Sequence, residues 1–219
     1  MDDSYNIEVK LLALTEPSGL LTDIPLQERG SKPGEEVIEF AGRLCWDTTH
    51  KLGTDPDRIQ KWIKSGHESV IEHASATFLI KASRVLTHEL VRHRLASYSQ
   101  RSQRYVRENE PRYITPPELV ISAQSQQGAE NPVAVFEKAM LDAWTAYRKL
   151  LNSGVKPEIA RYVLPNACET QIVMTMNFRE LRNFIKLRTS ARALPEMRAV
   201  AGKVLKIMKQ EAPRVFGDL

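Results

Sequence analysis

The feature that most constrains this chain is an arginine-rich segment, residues 89–107, which reads ELVRHRLASYSQRSQRYVR. It holds five arginines and one histidine, and no carboxylate stands between Glu89 and Glu108. A solvated helix face normally mixes signs, with a glutamate near each arginine. Guanidinium groups interleaved with hydroxyls and amides instead suit an oxyanion such as phosphate or carboxylate. The chain is therefore expected to be organised around an anion-binding segment.

Local patterns predict how this segment is presented. An apolar stripe at helical spacing ends at Leu90, and Ser83 or Thr87 can begin that helix, so residues 92–94 are expected in its last turns. Consecutive helical residues point about 100° apart, so these three cations would serve different groups of one ligand or of several. Residues 97–102 lose the apolar period and are predicted to form a loop whose backbone N–H groups can also face an anion.

Composition indicates an ordinary soluble protein. Apolar residues make up 42% of the chain and charged residues 26%, and the formal net charge is +4. Cys45 and Cys168 have neither zinc-site nor CxxC spacing, so we expect free thiols in a reducing compartment. The first ten residues lack the pattern of a signal peptide, and no apolar run approaches the length of a membrane span. These features predict a cytoplasmic protein without a membrane partner.

The order of the periodic segments predicts an α+β fold with a small, mostly antiparallel sheet and helices packed to one side, because strands and helices do not alternate strictly. Asn177 and Glu180 are spaced as a helix capping box. Strands are predicted at residues 6–14, 74–82 and 170–176, and helices at 35–51, 55–66, 131–154, 157–164, 177–188 and 195–211.

Several functions remain open on residue types alone. The arginine segment could be a solvated surface or a nucleic-acid stripe, although no stacking aromatics recur along it. His67 and His73 could bind a metal, but their spacing is not that of a zincin helix and no third ligand is evident. Ser102 lies in no G-x-S-x-G turn, which argues against a serine nucleophile.

Three motifs then resemble one known family. Arg92-His93-Arg94, seven further residues and Ser102-Gln103-Arg104 resemble the signature of the flavin-dependent thymidylate synthases. Residues 66–73, GHESVIEH, resemble the GHxSxxEH stretch of that family, and residues 177–188 resemble its second nucleotide-binding segment. The resemblance spans about residues 35–200.

The resemblance implies one catalytic domain over residues 1–219 with that family's fold. It implies reductive methylation of dUMP to dTMP, with methylenetetrahydrofolate as one-carbon donor, NADPH-reduced FAD as hydride source and no enzyme nucleophile. It further implies a homotetramer with shared active sites, small-molecule ligands (dUMP, folate and NADPH), no nucleic-acid partner and no metal.

Roles for individual residues are also implied by the resemblance. Arg188 would face the uracil ring and favour its ionisation at N3, and Ser102 would lie close to the reacting pyrimidine; these are the two predicted catalytic residues. The predicted flavin contacts are His67, Ser69, Arg92, His93, Arg94, Gln100, Asn177, Phe178, Arg179 and Asn183. The predicted substrate contacts are Glu89, Leu90, Val91, Arg92, Gln100, Arg101, Ser102, Gln103, Arg104, Arg161 and Arg188.

Overall fold

The structure, a computed structural model, describes residues 5–21, 32–125 and 131–219. Its sheet has four strands, β1 (Glu8–Leu14), β2 (Ser75–Ser83), β3 (Ala96–Gln100) and β4 (Glu169–Asn177). The strand order is β1-β2-β4-β3, and every neighbouring pair is antiparallel. The predicted α+β class with a small antiparallel sheet is confirmed.

Nine α-helices accompany the sheet within the described residues. They are α1 (Pro33–Leu44), α2 (Arg58–Lys64), α3 (Arg84–Leu90), α4 (Pro117–Ser125), α5 (Pro132–Asn152), α6 (Pro157–Ala160), α7 (Phe178–Arg188), α8 (Pro195–Glu211) and α9 (Pro213–Phe216). Short 3₁₀ segments cover Gly19–Leu21, Thr49–Lys51, Glu68–His73 and Arg161–Val163. No helix of this part of the chain is long and apolar enough to cross a bilayer.

One face of the sheet carries the core. Side chains alternate along β2 and β4, so that Phe78, Ile80, Ile172 and Met174 are fully buried. Helices α3, α7 and α8 lie against the strands, with Leu86 and other apolar residues in the same core. Burying a large apolar side chain stabilises a fold by about 1.5–3 kcal/mol. The helices therefore pack to one side, as predicted.

The arginine segment departs from its predicted structure at two points. Helix α3 ends at Leu90, so residues 92–94 follow it as a turn instead of forming its last turns. The Tyr98 hydroxyl donates to the carbonyl oxygens of Leu90 and His93, at 2.8 and 3.0 Å, and thus satisfies acceptors at the helix end. Residues 97–100, predicted as loop, belong to edge strand β3.

The missed strand has a physical cause. Ser97 and Ser99 occupy its exposed positions, while Ala96 and Tyr98 turn inward. The inward-facing residues are too few and too polar for the sequence to show an apolar alternation. Pairing with β4, which is five residue pairs long, supplies the missing stabilisation. Strand formation here is decided by a neighbour that lies more than 70 residues away in sequence.

Other boundaries shift modestly. The helix predicted over residues 35–51 ends at Leu44, and residues 58–64 carry the helix predicted over 55–66. Helix α4 begins at Pro117, although the prolines at 111, 116 and 117 predict a loop with little regular structure there. The proline- and glycine-rich residues 17–34, whose composition predicts a loop, and the polar patch over 124–127 lie partly outside the described residues.

The junction between β2 and α3 rests on Ser83. Its Oγ accepts a hydrogen bond from Leu86 N at 3.1 Å and donates to Glu196 Oε2 at 2.6 Å, and both side chains are buried. Ser83→Ala removes the helix cap and leaves a buried carboxylate oxygen without that donor. We expect the free energy of unfolding in urea to fall by about 2–4 kcal/mol.

Ser153→Ala is the matched control, because Ser153 Oγ donates to Lys149 O at an exposed helix end. Its expected effect is below about 0.5 kcal/mol. Equal effects of the two substitutions would show that the Ser83 contacts do not stabilise the fold.

Candidate functional site

The predicted site residues fall into two groups, one around helices α3 and α7 and the other around the loop that follows β3. One group, here the α3–α7 group, comprises Glu89, His93, Asn177, Arg179, Asn183 and Arg188. The other, here the 101–104 loop group, comprises Arg101, Ser102, Gln103, Arg104 and Arg161. Strand β3 has five residues and extends for about 17 Å.

A hydrogen-bonded chain holds Arg188 in the α3–α7 group. Arg188 Nε donates to His93 Nε2 at 3.0 Å, and His93 Nδ1 lies 3.0 Å from Glu180 Oε1. A guanidinium N–H can only donate, so Nε2 must be the acceptor and the ring proton must sit on Nδ1, facing Glu180. His93 is buried and also meets the ring of Phe184 edge to face. This chain fixes the orientation of the arginine.

A second contact anchors Arg188 from helix α3. Its Nη1 donates to Glu89 Oε2 at 3.1 Å, and the Arg188 side chain remains 23% exposed. The guanidinium is thus half-buried, oriented by two partners, and still open on one side to solvent. A cation fixed in this way can stabilise negative charge that develops on a bound molecule.

The sequence places Glu180 at the start of α7. Asn177 caps that helix, since its Oδ1 accepts from Glu180 N at 2.9 Å. The second half of the predicted capping box is absent, because the Glu180 carboxylate instead contacts His93 and the Asn183 amide. Glu180 was not predicted as a site residue, since its contact with His93 spans 87 residues of sequence.

A cavity of about 550 Å³ lies at the start of α7. Its walls include Glu68, Glu72, Leu95, Asn177, Arg179 and Asn183. The Arg179 guanidinium contacts both Glu72 and Glu68, and half of its side chain is exposed. The cavity therefore offers amide groups, a cation and an apolar side chain to a large, mixed ligand.

The 101–104 loop group is held by carboxylates that come from outside the segment. Arg101 Nη1 contacts both oxygens of the buried Glu108 at 2.8 Å, and Arg104 Nε donates to Glu158 at 3.1 Å. Arg161 donates to the carbonyl of the same residue, Glu158, at 3.2 Å. Residues 92–107 contain no acidic residue, but the fold brings the carboxylates of Glu108 and Glu158 to two of their arginines.

Ser102 has a local role in this loop. Its Oγ accepts a hydrogen bond from Arg104 N at 3.1 Å, and within the described residues no histidine or carboxylate bonds to it. A serine nucleophile needs a base within hydrogen-bond reach. The loop geometry thus leaves Ser102 as a half-buried hydroxyl without a neighbouring base among the described residues.

Arg84 is a further cation of this region that the sequence did not single out. Its Nη1 is buried and has no hydrogen-bond partner in the described part of the chain. Burial lowers the pKa of its guanidinium, and its nearest charged neighbours include Arg161 and Glu108. The sequence feature that could have identified Arg84 is its position within the apolar stripe of α3, directly after the helix cap Ser83.

Comparison with known proteins decides the family. The sequence profile of a family described as "Thymidylate synthase complementing protein" matches residues 29–214. The chain is 43% identical over 198 residues to the flavin-dependent thymidylate synthase of Sulfolobus acidocaldarius, covering 85% of this chain and 72% of the relative. The chain belongs to the flavin-dependent thymidylate synthase family.

Two more relatives show how far the similarity extends. The flavin-dependent thymidylate synthase of Geobacter sulfurreducens is 43% identical over 199 residues, which cover 84% of this chain and 81% of the relative. That of Corynebacterium efficiens is 38% identical over an alignment that covers 100% of this chain and 92% of the relative. The resemblance drawn from the three motifs is therefore confirmed, and the chain is an enzyme of this family.

The side chains predicted to contact flavin or substrate differ in how exposed they are. Leu90 and Phe178 are fully buried in the core, so only their backbone groups could touch a ligand. The Gln100 amide turns into the fold and donates to the hydroxyls of Thr87 and Thr170. Gln103 is buried as well, whereas Val91 is 40% exposed.

Some of the exposed predicted contacts are cations. Arg92 and Arg94 are exposed and form no ion pair with any carboxylate of the described residues. His67 and Ser69 are exposed at the end of α2, next to a separate cavity. Among the described residues, no three His, Cys, Asp or Glu side chains group in a way that could hold a metal ion.

The two cysteines are free thiols, as expected from their spacing. Cys45 is exposed and Cys168 is buried, and burial raises the pKa of the Cys168 thiol to about 12. A thiol becomes a nucleophile only as the thiolate, so Cys168 is poorly suited to attack a substrate.

The proton on His93 can be tested directly. With ¹⁵N-labelled histidine, NMR of the wild-type protein at mildly alkaline pH should show the His93 ring as the Nδ1–H tautomer, because Arg188 Nε–H occupies Nε2. The His93→Gln variant assigns the signal. In Arg188→Ala, the loss of the Nε2 donor should shift the Nε2 resonance, while the other histidines stay unchanged. An Nε2–H tautomer in the wild type would contradict this geometry.

Proposed function

We propose that this enzyme methylates dUMP reductively to dTMP, with methylenetetrahydrofolate as one-carbon donor and NADPH as reductant of its FAD. The overall reaction converts dUMP, methylenetetrahydrofolate, NADPH and a proton into dTMP, tetrahydrofolate and NADP⁺. The observation that carries the proposal is Arg188, a half-buried cation oriented by His93 and Glu89. Bound FAD would supply the hydride that this reaction requires.

The residues near α7 fit a flavin. Asn177 and Asn183 offer amide donors and acceptors, which the polar edge of an isoalloxazine ring requires. Arg179 offers a cation for a pyrophosphate, and Leu95 offers an apolar contact for a ring. These residues would hold FAD together with the exposed Arg92 and Arg94, as the resemblance implies. Phe178 would contribute through its backbone, because its ring is buried.

The 101–104 loop group fits a nucleoside monophosphate. Arg104 contacts the Glu158 carboxylate and Arg161 contacts the backbone carbonyl of the same residue, so both guanidinium groups lie beside Glu158. The Arg104–Glu158 pair is exposed, and such pairs contribute only about 0–1 kcal/mol. A phosphate can therefore replace the carboxylate at little cost. Ser102 and Arg101 would complete the substrate contacts.

Arg188 would act on the pyrimidine of the bound substrate. A fixed guanidinium lowers the free energy of a neighbouring anion in a water-poor site. This effect would favour ionisation of the uracil ring at N3 and thus raise its reactivity. Glu180 and His93 would serve as positioning residues for Arg188, since they hold the arginine in place.

The separation of the two groups supports active sites shared between subunits. The residues predicted to face flavin lie around α3 and α7, and those predicted to face the phosphate lie around the loop that follows β3, a strand of about 17 Å. One protomer would therefore contribute each group to a different site, in a homotetramer in the cytoplasm.

Chemistry without an enzyme nucleophile agrees with the side chains present. The Cys168 thiol is buried with a raised pKa, and Ser102 has no described base. A nucleic-acid interface is less favoured, because Arg101, Arg104 and Arg188 are matched by carboxylates, which oppose a continuous phosphate footprint.

The reaction and the role of Arg188 are tested together. The FAD-loaded wild type, given dUMP, methylenetetrahydrofolate and NADPH without oxygen, should form dTMP in amounts equal to the NADPH oxidised. Arg188→Ala should lower kcat by about 10²–10³-fold, because it removes the fixed cation, and should change FAD affinity little. Product is quantified by chromatography, and FAD affinity by flavin fluorescence.

Arg148→Ala, an exposed change on α5, is the control and should retain full turnover. No dTMP from the wild type would exclude the proposed reaction. An equal loss of FAD affinity and turnover in Arg188→Ala would place that arginine on the flavin instead.

Arg104 is expected to bind the substrate phosphate. Arg104→Ala should raise the dissociation constant of dUMP by about 10–100-fold, since a charge-assisted hydrogen bond contributes about 1.5–3 kcal/mol. Arg107→Ala, three residues further along the same exposed segment, should leave it within about twofold. Isothermal titration of both variants measures this difference, and an unchanged constant in Arg104→Ala would remove it from the phosphate site.

A further inference from the structure

A second cavity, separate from the one at α7, lies between the end of α1 and helix α2. It encloses about 580 Å³ and is here called the Trp46–Trp62 cleft, lined by Trp46, Lys51, Arg58, Lys61, Trp62 and His67. These two tryptophans and three cations have no role in the reaction proposed above.

The tryptophans of the cleft are held in different ways. Trp62 packs directly on the backbone of Gly42, where an added Cβ would lie 2.4 Å from its ring, so only glycine permits this contact. Trp46 is 71% exposed. A large aromatic ring left this open to solvent beside a cavity offers a stacking surface for a flat ring of a ligand.

The charges of the cleft are unbalanced. Asp55 contacts both Arg58 and Lys61 at 3.0 Å, while Lys51 forms no ion pair within the described residues. Arg43 is buried and already neutralised by Glu39 at 2.6 Å. Three outer cations therefore face one carboxylate. In addition, Arg58 Nε is buried and lacks a hydrogen-bond partner in the described part of the chain.

The cleft adjoins residues predicted to contact flavin. A smaller cavity of about 250 Å³ shares Trp46, Trp62 and His67 with it and extends to Ser69. His67 N donates to Trp62 O at 2.9 Å, which ties the histidine to α2. A ligand that reaches the flavin past His67 would have its outer part in the cleft.

We propose that the Trp46–Trp62 cleft binds the outer part of the folate co-substrate, with its aminobenzoyl ring on Trp46 and its glutamate carboxylates on Lys51, Arg58 and Lys61. This inference rests on the proposed function. Folates carry a neutral flat ring followed by a chain of separate carboxylates. The two lysines are compact charges on flexible chains and the Arg58 guanidinium is a planar fork that pairs with a carboxylate, so the three cations together match several carboxylates.

The glutamate chain supplies the test. In the FAD-loaded wild type, the triglutamate form of tetrahydrofolate should bind about tenfold more tightly than the monoglutamate form, because two more carboxylates reach the cations. In Lys51→Gln/Lys61→Gln this preference should fall to about twofold or less. Quenching of tryptophan fluorescence measures each dissociation constant, and the preference should also shrink with added salt.

Two further variants distinguish binding of the aminobenzoyl ring of folate from binding of its glutamate chain. Lys64→Gln, an exposed change on the same helix outside the cleft, should keep the full preference. Trp46→Leu should weaken both folate forms by a similar factor and leave the preference between them intact. FAD and dUMP affinities should stay unchanged throughout, and thermal unfolding should confirm that each variant is folded.

Three results would overturn this assignment. The glutamate preference could be equal with and without the two lysines while the wild type still forms dTMP; the proposed function would then stand and the cleft assignment would fail. The double variant could instead lose affinity for NADPH alone, which would assign the cleft to the dinucleotide. Absence of dTMP formation by the wild type would remove the proposed function and this inference together.

Discussion

The arrangement of the site depends on the antiparallel ladder between β2 and β4. These strands pair over nine residues, from Ser75 with Asn177 to Ser83 with Glu169. Because they are antiparallel, the helix after each strand begins at an opposite end of the sheet. Ser83 caps α3 and Asn177 caps α7, so both helices are started by a side chain that ends a central strand.

The lengths of these elements explain where the two helices meet. A nine-residue strand extends for about 30 Å, while α3 with 7 residues and α7 with 11 residues extend for about 10 and 16 Å. Two helices that start at opposite ends of one sheet face and run inward therefore end close together near its middle. Their last residues are Glu89 with Leu90 on one side and Arg188 on the other, and Glu89 contacts Arg188. The ladder thus sets Arg188 against Glu89.

Contacts between residues close in sequence could be predicted, and contacts between residues far apart in sequence could not. The caps Ser83, Asn131 and Asn177 were predictable because a cap bonds to a backbone group two or three residues away. The partners of the arginines were not, since Glu158 lies 54 residues from Arg104 and Glu180 lies 87 residues from His93. An absence of acids within residues 92–107 predicted an anion site, which stays a prediction, and it did not reveal that the fold supplies carboxylates from elsewhere.

The distribution of those carboxylates separates two kinds of arginine. Arg101 and Arg188 are held in place by Glu108 and Glu89, and such fixed cations suit a small substrate that must be oriented within a fraction of an ångström. Arg92 and Arg94 are exposed and have no described ion-pair partner, although they lie within the same short segment. Exposed cations without an ion-pair partner are solvated in the free protomer and stay available to a ligand or to another subunit. The proposed sharing of flavin between copies of the chain gives these two arginines their counter-charge, which no carboxylate of the described protomer provides.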